Sequence, residues 1–275
     1  MDKRLLTIQD ISCVGQCSLT VALPIISACG TETAILPSSV LSNHTGKGFS
    51  GWTFNDLTGD MKNILARWLK EGIGFDAFYT GYVSKAQIPI IKEIIKKTAR
   101  SGALTIVDPA MADNGVLYAG FDADFPSEMK TLCDGADVIM PNITEASLLL
   151  GIPYDAECTK EKTERIISGL HSIGAQSVIL TGVGFDDKTL GVAVSDGAKT
   201  DYYFTERIPV AMHGTGDVFA SVVAGALMRG KTLMEAAALA ADFVVASIKA
   251  TLGDDDHWYG VKFEKAIPLL VSRLG

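Results

Sequence analysis

Residues 212–225, MHGTGDVFASVVAG, place two glycines and an aspartate at the head of an apolar run of small residues. At the start of a helix, the backbone N–H groups of Gly214, Thr215 and Gly216 can face an anion together with the positive end of the helix dipole. Asp217 then falls in the first turn, close to any phosphate bound there. Such a carboxylate can remove the proton from a hydroxyl group that attacks the phosphate. It could equally do no more than complement the dipole, so the segment alone leaves both interpretations open.

A second glycine-rich stretch, GALMRGKT at residues 225–232, matches the pattern of a phosphate-binding P-loop. A P-loop follows a buried strand, whereas this stretch follows the apolar, helical segment VFASVVAG. We therefore reject the P-loop and expect Gly230 to end one helix. Thr232 and Glu235, the ends of TLME, are expected to form the capping box of the next helix.

Several predicted strands end in a polar or acidic residue. These residues are Asp10, Asp108, Asn142 and Thr181. In open α/β sheets, ligands bind outside the carboxyl ends of the strands. We therefore expect the four side chains to converge on one cleft.

Short β-rich runs alternate with longer helical patterns, which predicts an α/β fold with a mostly parallel sheet and helices on both faces. Residues 191–210 differ, because two β-rich runs flank Asp196 and Gly197 and predict an antiparallel hairpin near the sheet edge. From Gly216 onward the pattern is helical. The sequence contains no internal repeat, low-complexity tract or linker, so we expect residues 1–275 to form a single domain.

Composition excludes several classes of protein. Five cysteines without a Cys-x-x-Cys pair argue against a disulfide framework and against a structural zinc site. The net charge of −8 disfavours nonspecific binding to nucleic acid, which needs a basic surface. The N-terminal segment lacks the pattern of a signal peptide, and no later run approaches a membrane span. We expect a soluble cytoplasmic protein with neither nucleic acid nor membrane as a partner.

Several segments together resemble a known family. HGTGDVFAS, which contains the anion-binding glycines, is similar to the signature of the ribokinase-like small-molecule kinases. Other segments resemble the pyridoxal (vitamin B6) kinases of that superfamily, in their order and over nearly the whole chain. They are LSNHTG (41–46), TGY (80–82), VDPAMADNGVLY (107–118), PNITEASLLLG (141–151) and VILTG (178–182). The resemblance implies a three-layer α/β/α sandwich, a homodimer, and ATP with Mg²⁺; a monovalent cation is a further candidate cofactor.

The resemblance also implies a role for each phosphate-side residue. Gly214, Thr215 and Gly216 would form the anion hole, and Asp217 would be the general base for the 5′-hydroxymethyl group of pyridoxal, pyridoxine or pyridoxamine. ATP would be bound by Asp108, Asp113, Tyr118, Asn142, Glu145, Thr181, Gly182, Gly214 and Gly216. Mg²⁺ would be positioned by Asp108, Asn142 and Glu145, the last through water.

The residues themselves leave simpler interpretations open. Asn142 and Glu145 equally suit a helix cap, and Asp108 with Pro109 suits a turn at a strand end. The segment from Asp108 also departs from the family, which usually has glycine where this chain has Ala112. Losing that glycine removes a backbone conformation with positive φ from a loop that folds over ATP.

The substrate side is expected to involve Asp10, Cys17, Leu41, Asn43, Thr45 and Tyr82. Many pyridoxal kinases have a serine at the position of Asp10, where it contacts the substrate ring. A carboxylate there would favour a protonated ring nitrogen, or an aminopyrimidine, unless Asp10 turns away and caps the following helix. A buried Cys17 could equally be packing, and His44 is assigned no proton transfer.

Three rival functions remain. A hydroxymethylpyrimidine kinase of the same fold is the nearest. A sugar kinase usually carries an extra β lid, and no large insertion suits one. A noncatalytic B6-binding protein would need no general base, so the presence of Asp217 argues against it.

Overall fold

The computed structural model describes residues 3–46 and 48–275. In these ranges the strands are β1 Arg4–Ser12, β2 Glu32–Leu41, β3 Phe54–Asp56, β4 Phe75–Thr80, β5 Ala99–Val107, β6 Ala112–Asp113, β7 Val116–Leu117, β8 Val138–Ile139, β9 Ser177–Val183, β10 Thr189–Ser195 and β11 Thr200–Glu206. The helices are α1 Leu19–Ala28, α2 Thr58–Lys70, α3 Ile88–Thr98, α4 Phe125–Cys133, α5 Ile143–Leu150, α6 Lys160–Ser172, α7 Thr215–Met228, α8 Leu233–Thr251 and α9 Ile267–Leu274.

The main sheet has the strand order β11-β10-β9-β8-β5-β4-β1-β2-β3. Its six central strands, from β9 to β2, pair in parallel. At one edge, β10 and β11 form the antiparallel hairpin predicted around Asp196 and Gly197. At the other edge, the short strand β3 pairs antiparallel with β2. The mostly parallel α/β sheet with an edge hairpin is therefore confirmed.

Alternating side chains of the central strands feed two separate cores. Leu5 and Tyr79 point to the face covered by α1, α7, α8 and α9. Leu6 and Phe78, their neighbours in sequence, point to the face covered by α2 to α6. Strands buried on both faces explain why the central segments read as nearly continuous apolar runs. The result is the predicted three-layer arrangement.

The rejected P-loop is helical, as expected. Residues 225–228 belong to α7, and Gly230 follows its end with a φ of 80°. The N–H of Thr232 donates to Glu235 at 2.8 Å, and the N–H of Glu235 donates to the Thr232 hydroxyl at 3.3 Å, which completes the predicted capping box of α8. Among the described residues, no helix has the length and apolar character needed to cross a bilayer.

Helix α7 approaches α1 through a glycine. A Cβ atom built on Gly225 would lie 2.4 Å from Sγ and 2.8 Å from Cβ of Cys29, which is itself buried. The close contact of the two helices therefore requires the absence of a side chain at this position.

We predict that Gly225→Ala lowers the free energy of unfolding by about 1–3 kcal/mol, since it overpacks a closed interface. Gly59→Ala in α2 is the matched control, because a Cβ there meets no atom within 4 Å. That variant should be neutral or stabilised by up to about 1 kcal/mol through helix propensity. Urea unfolding of both variants decides the matter, and equal stability of the two would contradict the packing argument.

Candidate active site

The predicted anion hole lies at the start of α7, where the backbone is built for close approach. Gly214 is the N-cap, with a left-handed φ of 79° and no side-chain cap. A Cβ atom on Gly214 would lie 1.6 Å from the carbonyl oxygen of Gln16, so only glycine fits. A Cβ on Gly216 would meet nothing within 4 Å. Space therefore opens directly in front of the first turn, where the helix dipole favours an anion.

Asp217 lies in the first turn of α7, beside this space. Desolvation, and after it the charge of the nearby Asp10 carboxylate, raise the pKa of its carboxyl to about 7. The backbone N–H of Ser18 opposes both effects. A carboxyl group that titrates near neutral pH can accept a proton from a hydroxyl group and later release it. The electrostatics of Asp217 therefore suit a general base.

Asp10 faces the same region and does not cap α1. It is only 4% exposed and accepts a hydrogen bond from the Ser12 hydroxyl at 2.9 Å. The N-cap of α1 is Ser18, whose side chain also hydrogen-bonds Asp10. Burial raises the pKa of Asp10 despite these bonds. The interpretation of Asp10 as a cap of the following helix is therefore wrong.

Cys17 lies near both carboxylates. Burial raises the pKa of its thiol, and the charges of Asp217 and Asp10 raise it further. The group therefore remains a neutral thiol at physiological pH and is a poor nucleophile. Its predicted contact with substrate stays a prediction.

A cavity of about 390 Å³ lies beside β2 and Tyr82 and brings together part of the predicted substrate side. Leu41, Thr45 and Tyr82 line it, whereas Asp10, Cys17 and Asn43 do not. The side-chain N–H₂ of Asn43 donates to the carbonyl oxygens of His44 and Gly51, at 3.1 and 3.0 Å. Asn43 thus shapes the loop in this structure.

Sequence reasoning missed the aromatic walls of this cavity. Trp52, Phe54 and Phe121 line it, and the Phe121 ring lies 4.9 Å from that of Tyr82. Trp52 and Phe54 are half exposed, so the wall of the cavity leaves apolar surface open to a ligand. Their only signal in the sequence is two aromatic residues in a polar loop.

Asn142 and Glu145 form the helix cap that the residues alone suggested. The Asn142 side chain accepts from the N–H of Glu145 at 2.9 Å, and Glu145 accepts from the N–H of Asn142 at 2.8 Å. The second carboxylate oxygen of Glu145 accepts from the N–H of Met111 at 3.1 Å, and the amide of Asn142 donates to the carbonyl of Ala112 at 2.8 Å. The start of α5 therefore holds the segment that follows Asp108.

That segment is a small hairpin of β6 and β7. Its turn uses Asn114 and Gly115, with φ values of 50° and 79°, so the positive φ absent at Ala112 is supplied two residues later. The N–H of Gly115 donates to the Thr144 hydroxyl at 3.0 Å, which docks the hairpin on α5. The carboxylate of Asp113 accepts from the N–H of Asn114 at 2.9 Å.

The predicted strand-end residues lie near one another, although none of them lines the cavity beside Tyr82. The N–H of Thr181 donates to the carbonyl of Pro141 at 2.9 Å, and Thr181 forms a parallel bridge with Asn142. Gly182 follows with a φ of 77°. Asp108, which is 8% exposed, lies near Glu145 and Asp217. These side chains, together with Asp10, lie towards the carboxyl ends of the parallel strands.

Several carboxyl groups are buried at this end of the sheet. Burial raises the pKa of Asp108 well above its ordinary value, and the charges of Glu145 and Asp217 add to the effect. Burial likewise raises the pKa of Glu145 to about 8. The described residues contain no preformed group of three or more metal ligands. Mg²⁺ commonly uses one or two carboxylates plus substrate phosphates, so the donor set fits an ion that arrives with a nucleotide.

Comparison with known proteins found a matching family and a curated relative. The model of the phosphomethylpyrimidine kinase family matches residues 57–260. The pyridoxine kinase of Bacillus subtilis (strain 168) is 31% identical over 207 residues, which are 73% of this chain and 74% of that protein.

Two solved structures match closely. A candidate phosphomethylpyrimidine kinase from Bacteroides thetaiotaomicron, in a crystal form with pyridoxal, has a TM-score of 0.92 at 38% identity over 98% of this chain and 96% of that one. The pyridoxal kinase of Lactobacillus plantarum has a TM-score of 0.90 at 33% identity over 98% and 97%. The ribokinase-like fold and the resemblance to B6 kinases are therefore confirmed.

We predict that the Asp217 carboxyl of the ligand-free protein titrates near pH 7, far above its ordinary value of 3.8. Asp10→Asn should lower this pKa, because it removes a negative charge that disfavours ionisation of Asp217. Carboxyl ¹³C NMR measures both values. Asp60→Asn, an exposed first-turn aspartate of α2, is the control and should leave the titration unchanged. An Asp217 pKa that does not respond to Asp10→Asn would rule out the coupling.

Proposed function

Because the chain belongs to the phosphomethylpyrimidine kinase family, we propose that it transfers the γ-phosphoryl group of ATP to the 5′-hydroxymethyl group of pyridoxal, pyridoxine or pyridoxamine. The observation that carries the proposal is the pairing of a side-chain-free anion hole at Gly214 with a carboxyl group at Asp217 that titrates near pH 7. The similarity to B6 kinases over most of the chain supports the choice of substrate.

The reaction follows from the positions of the two groups. The acceptor hydroxyl points at Asp217, which takes its proton as the oxygen attacks the γ-phosphorus. The new O–P bond forms while the bond to the β–γ bridging oxygen breaks, and ADP leaves with that electron pair. Backbone N–H groups of Gly214 to Gly216 stabilise the charge on the transferring group, because they are fixed before the reaction begins.

A magnesium ion would neutralise charge on the ATP phosphates when bound. Asp108 is the most available ligand, since both oxygens of Glu145 and the amide of Asn142 are engaged in the cap of α5. Glu145 would then act through water, in keeping with the few protein ligands that Mg²⁺ takes. The same cap holds the β6–β7 hairpin beside the nucleotide.

Hydroxymethylpyrimidine is the second candidate acceptor; one observation favours it and a second is compatible with it. The matching family model is described as phosphomethylpyrimidine kinase. Asp10 is a buried carboxylate beside the proposed substrate, where an aminopyrimidine or a protonated pyridine ring would both satisfy it by donating an N–H group. A protonated pyridine ring would bring a full positive charge to Asp10 and an aminopyrimidine a neutral N–H group, so the two rings would interact with Asp10 to different extents. Asp217 would act on the hydroxyl group common to both.

We predict ATP-dependent phosphorylation of at least one B6 vitamer when pyridoxal, pyridoxine, pyridoxamine, hydroxymethylpyrimidine and ribose are compared, with products identified by mass.

Asp217→Asn should lower kcat about 10²- to 10⁴-fold, because it removes the general base, while ATP binding by calorimetry is retained. Asp60→Asn is the control. It removes a first-turn aspartate that can only complement the dipole of α2, and it should keep full activity. Near-wild-type kcat in Asp217→Asn would refute the mechanism, and phosphorylation of hydroxymethylpyrimidine alone would replace the substrate.

We predict that Asp10→Ser shifts the ratio of kcat/KM between the B6 vitamers and hydroxymethylpyrimidine by about tenfold or more. The reason is that a charge-assisted hydrogen bond to the ring is worth about 1.5–3 kcal/mol. Ser12→Ala is the matched control, since it removes a partner of Asp10 and keeps the carboxylate. An unaltered ratio in Asp10→Ser would show that this side chain does not select the ring.

A further inference from the structure

The substrate-side loop, residues 42–46, is tied down through both nitrogens of one buried histidine. His44 is 5% exposed. Its Nδ1 accepts a hydrogen bond from the backbone N–H of Gly46 at 2.9 Å, so Nδ1 carries no proton. Nε2 then carries the proton and donates to the carbonyl oxygen of Tyr259 at 3.0 Å. The hydrogen bonds thus select one neutral tautomer of His44.

The ring of His44 also packs against the segment that leads into the anion hole. Its centroid lies 4.8 Å from that of His213, the residue directly before Gly214. Glycines close the slot around the two rings. A Cβ on Gly15 would lie 2.3 Å from Cδ2 of His44, and one on Gly46 would lie 2.6 Å from Cε1 of His213. The two imidazole rings are therefore held in contact.

A third segment, residues 254–260, completes the arrangement. It supplies the Tyr259 carbonyl that accepts from His44. It also supplies Trp258, whose ring lies 4.7 Å from that of Phe49. Phe49 in turn packs edge-on against His44, with ring centroids 4.9 Å apart. One side chain thus contacts the substrate-side loop, the approach to the anion hole and a segment near the C-terminal end.

We propose that neutral His44 is a positioning residue, which sets the substrate-side loop relative to the anion hole through its contact with His213. It acts on the geometry of the acceptor, because Thr45 of the same loop lines the cavity beside Tyr82. The link between this geometry and catalysis rests on the proposed function. The two hydrogen bonds made by the nitrogens of His44, which we call the clamp, do not depend on the proposed function.

Protonation would break the clamp at a defined atom. A proton on Nδ1 would face the N–H of Gly46, and two donors cannot share a hydrogen bond. Burial lowers the pKa of His44 from its ordinary 6.5, the charge of His213 lowers it further, and the bond to the Tyr259 carbonyl opposes both. His213 is the ionisable group of the described residues whose charge acts on His44, since Gly15 and Phe49 bring none.

The sign of the pH effect follows. The folded state holds His44 neutral to a lower pH than the unfolded state does, so the clamp contributes fully above pH 6.5. Its contribution is lost as the pH falls through the lower pKa of the folded protein. This loss is separate from the protonation of Asp217, whose pKa is raised to about 7.

The first test needs neither a variant nor a substrate. Long-range ¹H–¹⁵N NMR of the ligand-free protein should show His44 with the proton on Nε2 and with a pKa below 6.5. The protection factor of the Gly46 amide, which corrects its exchange rate for the intrinsic effect of pH, should fall as His44 takes up a proton. A proton on Nδ1, or exchange at Gly46 that does not follow this titration, would overturn the clamp whatever the protein phosphorylates.

The second test is kinetic. In His44→Asn, Oδ1 can replace Nδ1 toward Gly46, but the side chain is too short for Tyr259 and does not titrate. We expect kcat/KM for the acceptor to fall by up to about 100-fold through misplacement of the loop, with the KM for ATP unchanged. In the wild type, the acid limb of kcat/KM should report two protons, one on Asp217 and one on His44. In His44→Asn the proton on His44 should disappear from this limb.

The matched control is His171→Asn, in which a half-buried histidine also has both nitrogens engaged, with Ala175 at 3.0 Å and Ser195 at 2.9 Å. It should alter neither KM nor the acid limb. His213→Asn combined with His44→Asn should be non-additive, as expected for residues in contact. If His44→Asn keeps the wild-type acid limb and acceptor KM, His44 is not a positioning residue. Absence of any B6 turnover in the wild type would count against the proposed function and leave the NMR result standing.

Discussion

The site depends on one steric constraint, the contact between the backbone of Gly214 and the carbonyl oxygen of Gln16. A Cβ at Gly214 would lie 1.6 Å from that oxygen, so the segment after β1 can rest on the start of α7 only if this residue is glycine. The contact brings Asp10 at the end of β1 close to Asp217 in the first turn of α7. It also leaves open the space in front of Gly216. A side chain at Gly214 would separate the anion hole from the substrate side.

Buried negative charge is the second organising feature. Asp10, Asp108, Glu145 and Asp217 all have raised pKa values, in each case chiefly because burial disfavours the ionised form. Such a cluster is costly without protons, cations or N–H donors to satisfy it. In the proposed reaction each need is met by a different component. The N–H groups of Met111 and Asn142 already satisfy Glu145. The ring would satisfy Asp10, the acceptor hydroxyl would supply the proton to Asp217, and a metal ion with the nucleotide would face Asp108.

The sequence was sufficient to predict features whose residues repeat along the chain or lie close together in it. The alternation of β-rich runs with helical patterns predicted the parallel sheet. The helical segment before Gly225 correctly excluded a P-loop. The β6–β7 hairpin was missed because each of its strands has two residues, too few for periodicity, although Asn114 and Gly115 form a strong turn signal. The engagement of Glu145 with Met111, and the aromatic wall at Trp52, could not be predicted because they join segments that are distant in sequence.

The central claim is that Asp217 and the anion hole act on one acceptor hydroxyl of a B6 vitamer. A crystal structure with pyridoxal and a non-hydrolysable ATP analogue tests it most directly. We expect the 5′-oxygen at about 2.6–3.2 Å from the Asp217 carboxylate, with the γ-phosphate at the N–H groups of Gly214 to Gly216. A 5′-oxygen turned away from Asp217, or a terminal phosphate bound away from the start of α7, would contradict it.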